Sequence, residues 1–583
     1  MREKMTVNNN HKPVTLTLAH INDTHSYFEP TSLQLKLRIN DELSLEPYVS
    51  AGGFSRIATR IEQLREDADR QGRGTLFLHA GDCFQGTLYF SLFKGKANAD
   101  LLNAIGIDAM ALGNHELDMG NEPVAQFCQR IQFPLLAGNW NLSDESHDKV
   151  HRLSELDNIA SYQPGTQSAS YIIKKFDGEP VAIFGVSIDK MSDIANPDAD
   201  TPFMPAIATA QRTVEQIHQA GINKVIVLSH LGYEGDLELA RQVDGIGIIV
   251  GGHSHKLQGD FSLIGLGKDE PYGVRVNGTY VVQAGYHALT MGHCVLTFDE
   301  NGKTTMHTGQ NELLLGRRIF WDSKLNEQLD QGMFQVACDF IHGQPNVVVC
   351  KKHPETQSIL NNKYIPQVRR LQSEVIAHTP VKLRHLRVPD EFGGSELAPA
   401  VAESFLYSLN KRGHEVQFAI HNAGGVRSSF NPGTITVADI AGKLLPFAVP
   451  IGCYEIQGDA IRRTLEGAIN NALNNGVIGT GSGSYPYTHN LSFEYDKLAP
   501  LGNRIKRLDI FDGQQWTPVE QNSWYKGASS AYTMKGKEGY DALLEMKGEG
   551  YISLMSMADC FIELLSDVPS YLNQHHNSHS QRL

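Results

Sequence analysis

The 583-residue sequence predicts an α/β protein of at least two domains. Three observations carry that expectation. The chain is longer than one hydrophobic core can serve. Up to about residue 305, apolar runs of strand length alternate with segments of helical period. Beyond that point amphipathic helical segments intervene, and a second α/β alternation follows. The expected boundaries are 12–345 for the first domain, 346–379 for a helical linker and 380–570 for the second domain, with a disordered polar tail at 573–583.

The elements follow in order. Val14 to Ile21, "VTLTLAHI", reads as a strand ending at "NDTH". "TLFLHAGD" (75–82) is a strand running into a turn. "ANADLLNAI" (97–105) is helical, and the strand "AMAL" then leads into "GNHE". Thr213 to Ala220 is helical. "KVIVLSH" (224–230), "IGIIVGGHSH" (246–255), "YVVQAG" (280–285) and "HCVLTFD" (293–299) add strands. Residues 315–340, 364–378 and 396–410 read as amphipathic helices. The second domain then holds "VQFAIHNAGGVR" (416–427), "ITVADIAGKLLPF" (435–447), a long segment over 453–473 and a glycine-rich run over 476–487.

Composition excludes several classes. The chain is 41% hydrophobic and 20% charged, a soluble globular balance. A formal net charge of −14 argues against a nucleic-acid partner, since phosphate backbones are bound by Lys and Arg. No run of 18 apolar residues predicts a membrane span. The seven cysteines are scattered without a CxxC pair, so no disulfide framework is expected. The N-terminus lacks the apolar stretch of a secretory signal. A cytoplasmic protein is expected on that ground, or a periplasmic or extracellular one if the chain begins further upstream. Oligomeric state is not readable from pattern alone.

The chemistry lies in five polar corners, each after an apolar strand. They are Asp23-Thr24-His25; Asp82 in "GDCFQG"; Asn114, His115 and Asp118 in "GNHELD"; His230 in "SHLG"; and His253 with His255 in "GGHSH". Any one corner has an ordinary reading as a polar loop. Five in succession are better explained by a shared site. Two divalent ions need about seven mixed oxygen and nitrogen ligands with one bridging carboxylate. Imidazole with carboxylate suits Mn, Zn, Fe or Co better than Mg. Glu116 is expected only to bond backbone at its corner.

These blocks, DxH, GDxx, GNHE, a single His and GHxH in order, resemble the 5′-nucleotidases of the calcineurin-like metallophosphoesterase superfamily. The resemblance covers nearly the whole chain. It implies a four-layer α/β/β/α catalytic domain and a C-terminal α/β substrate-binding domain. It further implies that Asp23, His25 and His255 hold one metal, that Asn114, His230 and His253 hold the other, and that Asp82 bridges them. His115 would be the catalytic histidine, oriented by Asp118. The bacterial periplasmic UDP-sugar hydrolase of this family carries glutamine at the position of His255, a difference expected to alter metal preference rather than abolish binding.

In the second domain "HNAGGVR" resembles the family's NGGGIR block, which implies substrate contacts at Asn422 and Gly424 and a phosphate grip by Arg427. Arg384 and Arg387 are candidates for further anion contacts. Phe447 and Tyr532 fall at the family's base-stacking positions. Gly483 would give backbone clearance. Glu538 stands where an aspartate would bind ribose hydroxyls, and Val449 where an asparagine would bond the base, so base recognition is expected to be loose. The family's second domain is thought to rotate against the first, and 350–378 is where a hinge would be expected. The implied activity is hydrolysis of nucleoside 5′-monophosphates by a dimetal-activated water. The alternatives are 2′,3′-cyclic nucleotide phosphodiesterase with 3′-nucleotidase activity, UDP-sugar or dinucleotide pyrophosphate cleavage, and non-catalytic nucleotide binding.

Overall fold

The computed structural model describes residues 11–40, 42–447, 449–474 and 481–573. The tail read at 573–583 lies outside the described residues beyond position 573, as does the start of the glycine-rich run. The chain divides into two compact units between Ile365 and Pro366.

The first unit is built on two sheets. The larger has parallel strands Ile159–Gln163, Leu135–Ala137, Ala109–Ala111, Gly74–His79 and Val14–Ile21 side by side. It continues through the antiparallel pair Thr290–Phe298 and Thr304–Phe320 to Tyr48–Ala51. The smaller has Glu179–Ser187, Val225–His230, Ile248–Gly251 and Thr279–Val282, all parallel. Leu16, Leu18, Leu76 and Leu78 of the larger sheet pack against Val181, Ile183, Ile226 and Leu228 of the smaller in one core.

Helices cover the outer faces. Phe54–Arg70 lies on the larger sheet. Ala206–Gln219 and Tyr233–Gln242 place Val214, Ile217 and Leu239 on the smaller. This is the four-layer α/β/β/α order. It explains why the central strands read as unbroken apolar runs, because both of their faces are covered. The parallel strands end together, with Ile21 level with His79 and Ser229 level with Gly251. Polar corners from both sheets therefore meet at one edge of the core.

The second unit has a mixed five-stranded sheet in the order Pro486–His489, Phe418–Asn422, Trp524–Ser530, Pro450–Gln457 and Tyr551–Ser556. A three-stranded sheet, Leu491–Tyr495, Ile505–Phe511 and Trp516–Pro518, accompanies it. Helices Leu397–Lys411, Gly458–Asn474 and Met557–Asp567 complete the unit.

Two helical readings are corrected. Of 315–340, only Gln331 onward is helical; Leu315 to Phe320 ends the 17-residue strand Thr304–Phe320. Pairing with Tyr48–Ala51 decides this against helix propensity. Of 364–378, the helix stops at Ser373, and Val375–Thr379 pairs with Gly433–Thr436. The segment 346–379 thus also contains the strand Val347–Val349, which joins the larger sheet of the first unit. All seven cysteines are free thiols. Among the described residues no helix is long and apolar enough to cross a membrane.

Candidate metal centre

The first two corners are laced together by backbone. The amides of Asp23, His25 and Ser26 donate to the carbonyls of Gly81, Asp82 and Cys83 at 2.9, 3.1 and 3.0 Å. Glu116 fixes the second corner to the third. Its buried carboxylate accepts the amides of Asp82, Cys83, Phe84 and Gly113 at 2.7–3.0 Å. Glu116 therefore bonds backbone, as the sequence suggested. The close fit also explains Gly113: a Cβ there would stand 2.2 Å from Asp82 Oδ1.

Of the seven expected ligands, five have left-handed backbone: Asp23, His25, Asp82, His253 and His255, with φ between 46° and 74°. Such positions cost on the order of 1–3 kcal/mol each and persist where surrounding structure enforces them. Here they turn side chains from separate strands toward one point.

The resulting geometry fits two cations. Asp23, His25 and His255 each bring a ligand atom within 4.8 Å of the others, and so do Asp82, His230 and His253. In the first group the Nδ1 of His25 faces the Phe84 carbonyl at 3.1 Å and donates to it. That leaves a lone pair on Nε2, directed at His255 Nε2 3.0 Å away, with Asp23 Oδ1 3.4 Å from the latter.

In the second group His230 donates from Nδ1 to the Ala80 carbonyl at 2.7 Å. Its Nε2 faces Asp82 Oδ2 at 3.1 Å and Asn114 Oδ1 at 3.3 Å. Asn114 Oδ1 also lies 2.9 Å from His253 Nδ1. With Nδ1 committed to a carbonyl in both His25 and His230, the neutral rings turn Nε2 lone pairs toward these neighbours, a grouping that a cation would satisfy. The field agrees: burial would lower the pKa of His230, but Asp82 and then Asp23 reverse that and raise it to about 10. The residues present thus fit a pair of divalent ions, with Asp82 beside the second group and its Oδ1 accepting the His115 amide at 2.9 Å.

His115 points elsewhere. Its Nδ1 lies 2.6 Å from Asp118 Oδ2, and its ring meets that of His25 edge-on at 5.2 Å. Burial lowers its pKa, but Asp118 and Asp82 outweigh burial and raise it to about 10.

Several supporting residues went unread in the sequence. Asn22 donates to Asp23 Oδ2 and to the Gly285 carbonyl while accepting the Ala284 amide. His79 accepts the Gly81 amide and bonds Thr24 Oγ1. Tyr286 stacks on His255, and His287 stacks on Tyr27 beside His25. The last pair was within reach: "YVVQAGYH" is a sixth apolar strand with a polar end.

The second unit holds a separate cavity of about 450 Å³. Arg387, Asn422, Gly424, Arg427, Phe447, Gly483, Tyr532 and Glu538 all line it, and so does Val449. The Arg427 guanidinium sits 5.6 Å from the Phe447 ring centre. A Cβ on Gly424 would stand 3.3 Å from the Gly483 Cα, so the two backbones meet where neither has room for a side chain. Burial, then Glu538, pushes the Tyr532 hydroxyl up to about 12. Glu538 also accepts from Ser484 Oγ at 3.3 Å. Arg384 is not brought into this group. Its guanidinium pairs with Asp390 at 3.0 Å.

A two-cation site at the strand ends of a four-layer sandwich defines a metallophosphoesterase. Residues 16–257 match the model for calcineurin-like phosphoesterase, and residues 375–545 match that for the 5′-nucleotidase C-terminal domain. The chain is 30% identical to a probable 5′-nucleotidase of Treponema pallidum over 96% of this chain and 92% of that one. It is equally 30% identical to a NAD 5′-nucleotidase of Haemophilus influenzae, with the same coverage. The solved structure of the H. influenzae NAD nucleotidase superposes with a TM-score of 0.64 at 28% identity, covering 96% of this chain and 97% of that one. The chain belongs to the 5′-nucleotidase family of calcineurin-like metallophosphoesterases. It is an enzyme of metal-dependent phosphomonoester hydrolysis.

Replacing Glu116 with Ala strands four buried amides, each worth about 1–3 kcal/mol. Urea unfolding should show a loss of at least about 3 kcal/mol for the first unit. A loss below about 0.5 kcal/mol would mean the corners hold themselves.

Proposed function

We propose that the enzyme hydrolyses nucleoside 5′-monophosphates to nucleoside and phosphate. The observation that carries this reading is the cavity of the second unit, where two arginines share a wall with two aromatic rings. Phe447 is 46% and Tyr532 37% exposed, and both line the cavity. Exposed rings flanking guanidinium groups suit a planar base joined to a phosphate. Glu538, which accepts from Ser484 Oγ, would accept ribose hydroxyls. Val449 offers no polar contact, so the base would be read by stacking more than by hydrogen bonds. That favours tolerance among purines and pyrimidines.

Asp23, His25 and His255 would hold one divalent ion, and Asn114, His230 and His253 the other, with Asp82 between. Mixed imidazole and carboxylate donors favour Mn, Zn, Co or Fe over Mg. When bound, such a pair supplies an activated water and charge neutralisation at the phosphoryl group. The protein's own part is proton placement. Asp118 accepts Nδ1–H of His115 and, against burial, favours the charged imidazole. The remaining Nε2–H can then donate to a phosphoryl oxygen or to the departing ribose oxygen. Asp82 orients His115 from behind by accepting its amide.

Turnover of AMP, UMP, 3′-AMP, 2′,3′-cyclic AMP, UDP-glucose and NAD, with Mn²⁺ and with chelator, tests the substrate. The 5′-monophosphates should be fastest, and chelation should abolish their turnover. Preference for the cyclic or 3′ substrates would place the ester differently against the same residues, and preference for UDP-glucose or NAD would make pyrophosphate cleavage the main activity. His115→Ala should cut kcat by about 10²–10⁴-fold while the metal content per chain stays that of the unaltered enzyme. Unchanged kcat would remove His115 from the chemistry.

A further inference from the structure

The first unit contains a second cavity, of about 510 Å³, whose lining shares no residue with the metal centre. Its walls carry Arg56, Arg317, Arg318, Lys351 and Lys352, and among the described residues no carboxylate lines it. In a chain with a net charge of −14, five cations on one concave surface are a marked local reversal.

They come from three elements. Arg56 is in the first turn of helix Phe54–Arg70. Arg317 and Arg318 sit near the end of strand Thr304–Phe320, and the lysines follow strand Val347–Val349. The two strands pair in one sheet and the helix packs on that sheet, so the fold itself brings the charges together.

The arrangement is not one of satisfied ion pairs. Arg56 is 4% exposed, yet its guanidinium bonds only neutral groups, the Gly52 carbonyl at 2.8 Å and Ser50 Oγ at 3.0 Å. Its Nε is buried with no partner. Gly316 leaves space for this guanidinium, since a Cβ there would stand 2.5 Å from Nη2. Lys352 is lowered from its ordinary pKa by burial and then by Arg56, with Arg318 acting in the same direction. The one carboxylate acting on Lys352, Glu29, already accepts the Tyr89 hydroxyl at 2.7 Å. A buried arginine without a carboxylate is costly unless an anion completes it. Phe320 adds an apolar wall, with the Arg318 guanidinium 5.7 Å from its ring centre.

We propose that this cavity binds a small oligophosphate, either an inorganic chain or the phosphates of a nucleoside triphosphate, at a site separate from the metal centre. Several adjacent phosphates match several adjacent cations, and guanidinium groups bind phosphate oxygens in pairs. The cavity is larger than one phosphate requires, and Phe320 could face the organic part of a nucleotide. The inference does not depend on which ester the metal centre hydrolyses.

Calorimetric titration of the metal-loaded enzyme, freed of excess metal, tests it with two probes, inorganic tripolyphosphate and the β,γ-methylene analogue of ATP. Arg318→Glu/Lys352→Glu alters two exposed side chains, and a thermal unfolding profile like that of the unaltered enzyme will show that it folds. Arg427→Ala removes the guanidinium of the second unit's cavity and controls for binding there. The proposal expects a binding event that weakens at least tenfold in the double variant, weakens steeply with added salt, and survives in Arg427→Ala. Seeing it with both probes would assign the site to the phosphate chain. Seeing it with the methylene analogue alone would assign it to a nucleotide read partly by Phe320. Equal titrations of the double variant and the unaltered enzyme, or loss of all binding in Arg427→Ala, would overturn it.

Discussion

The first unit is organised around one electrostatic demand: oxygen and nitrogen atoms able to ligate a cation converge from five corners. His25 and His255 present ring nitrogens to each other at 3.0 Å, and His230 faces Asp82 and Asn114. Such an arrangement is held together by shared protons or by a cation, and the grouping of the ligand atoms fits a cation. Much else in the unit serves to hold it. Two sheets end level so that their corners meet, Glu116 ties three amides of one corner to a fourth from the next, and Gly113 leaves out the side chain that would displace Asp82. Five ligand residues are kept in left-handed backbone, a conformation that only a rigid surround maintains.

The two units divide the work by chemistry. The metal centre of the first concentrates carboxylate and imidazole, which is what a cation site requires. The second concentrates guanidinium, glycine backbone and exposed aromatic rings, which suit an anion joined to a planar group. Neither set contains the residue types of the other in quantity. On the proposed reading, substitution in the second unit, as at Val449, would change substrate preference without disturbing the ligands in the first.

The fold was legible where hydrophobic period and length agreed. Val14–Ile21 announced itself by alternation and Val225–His230 as an apolar run. The corners were legible because each combined a strand end with a ligand-type side chain. What failed was local pattern against tertiary pairing. Leu315 to Phe320 looked helical beside its neighbours and became strand because Tyr48–Ala51 lies alongside. Asn22 and His79 were illegible for a different reason. Their importance lies in hydrogen bonds to residues far along the chain, which spacing does not encode. In the second unit the arginines of "KLRHLRVPD" looked equivalent, yet only Arg387 lines the cavity. Asp390, six residues beyond Arg384, claims the other, a local ion pair that charge pattern could have suggested.

The measurement that bears most directly on the convergent-acceptor account is thermal unfolding of chelated protein as Mn²⁺ is restored. An ion that binds only the folded state adds about 4 kcal/mol at a concentration one thousand times its Kd. The account predicts a rise of several degrees in the unfolding of the first unit, and its loss in Asp82→Ala. An unfolding temperature indifferent to Mn²⁺, or one that rises equally in Asp82→Ala, would contradict it.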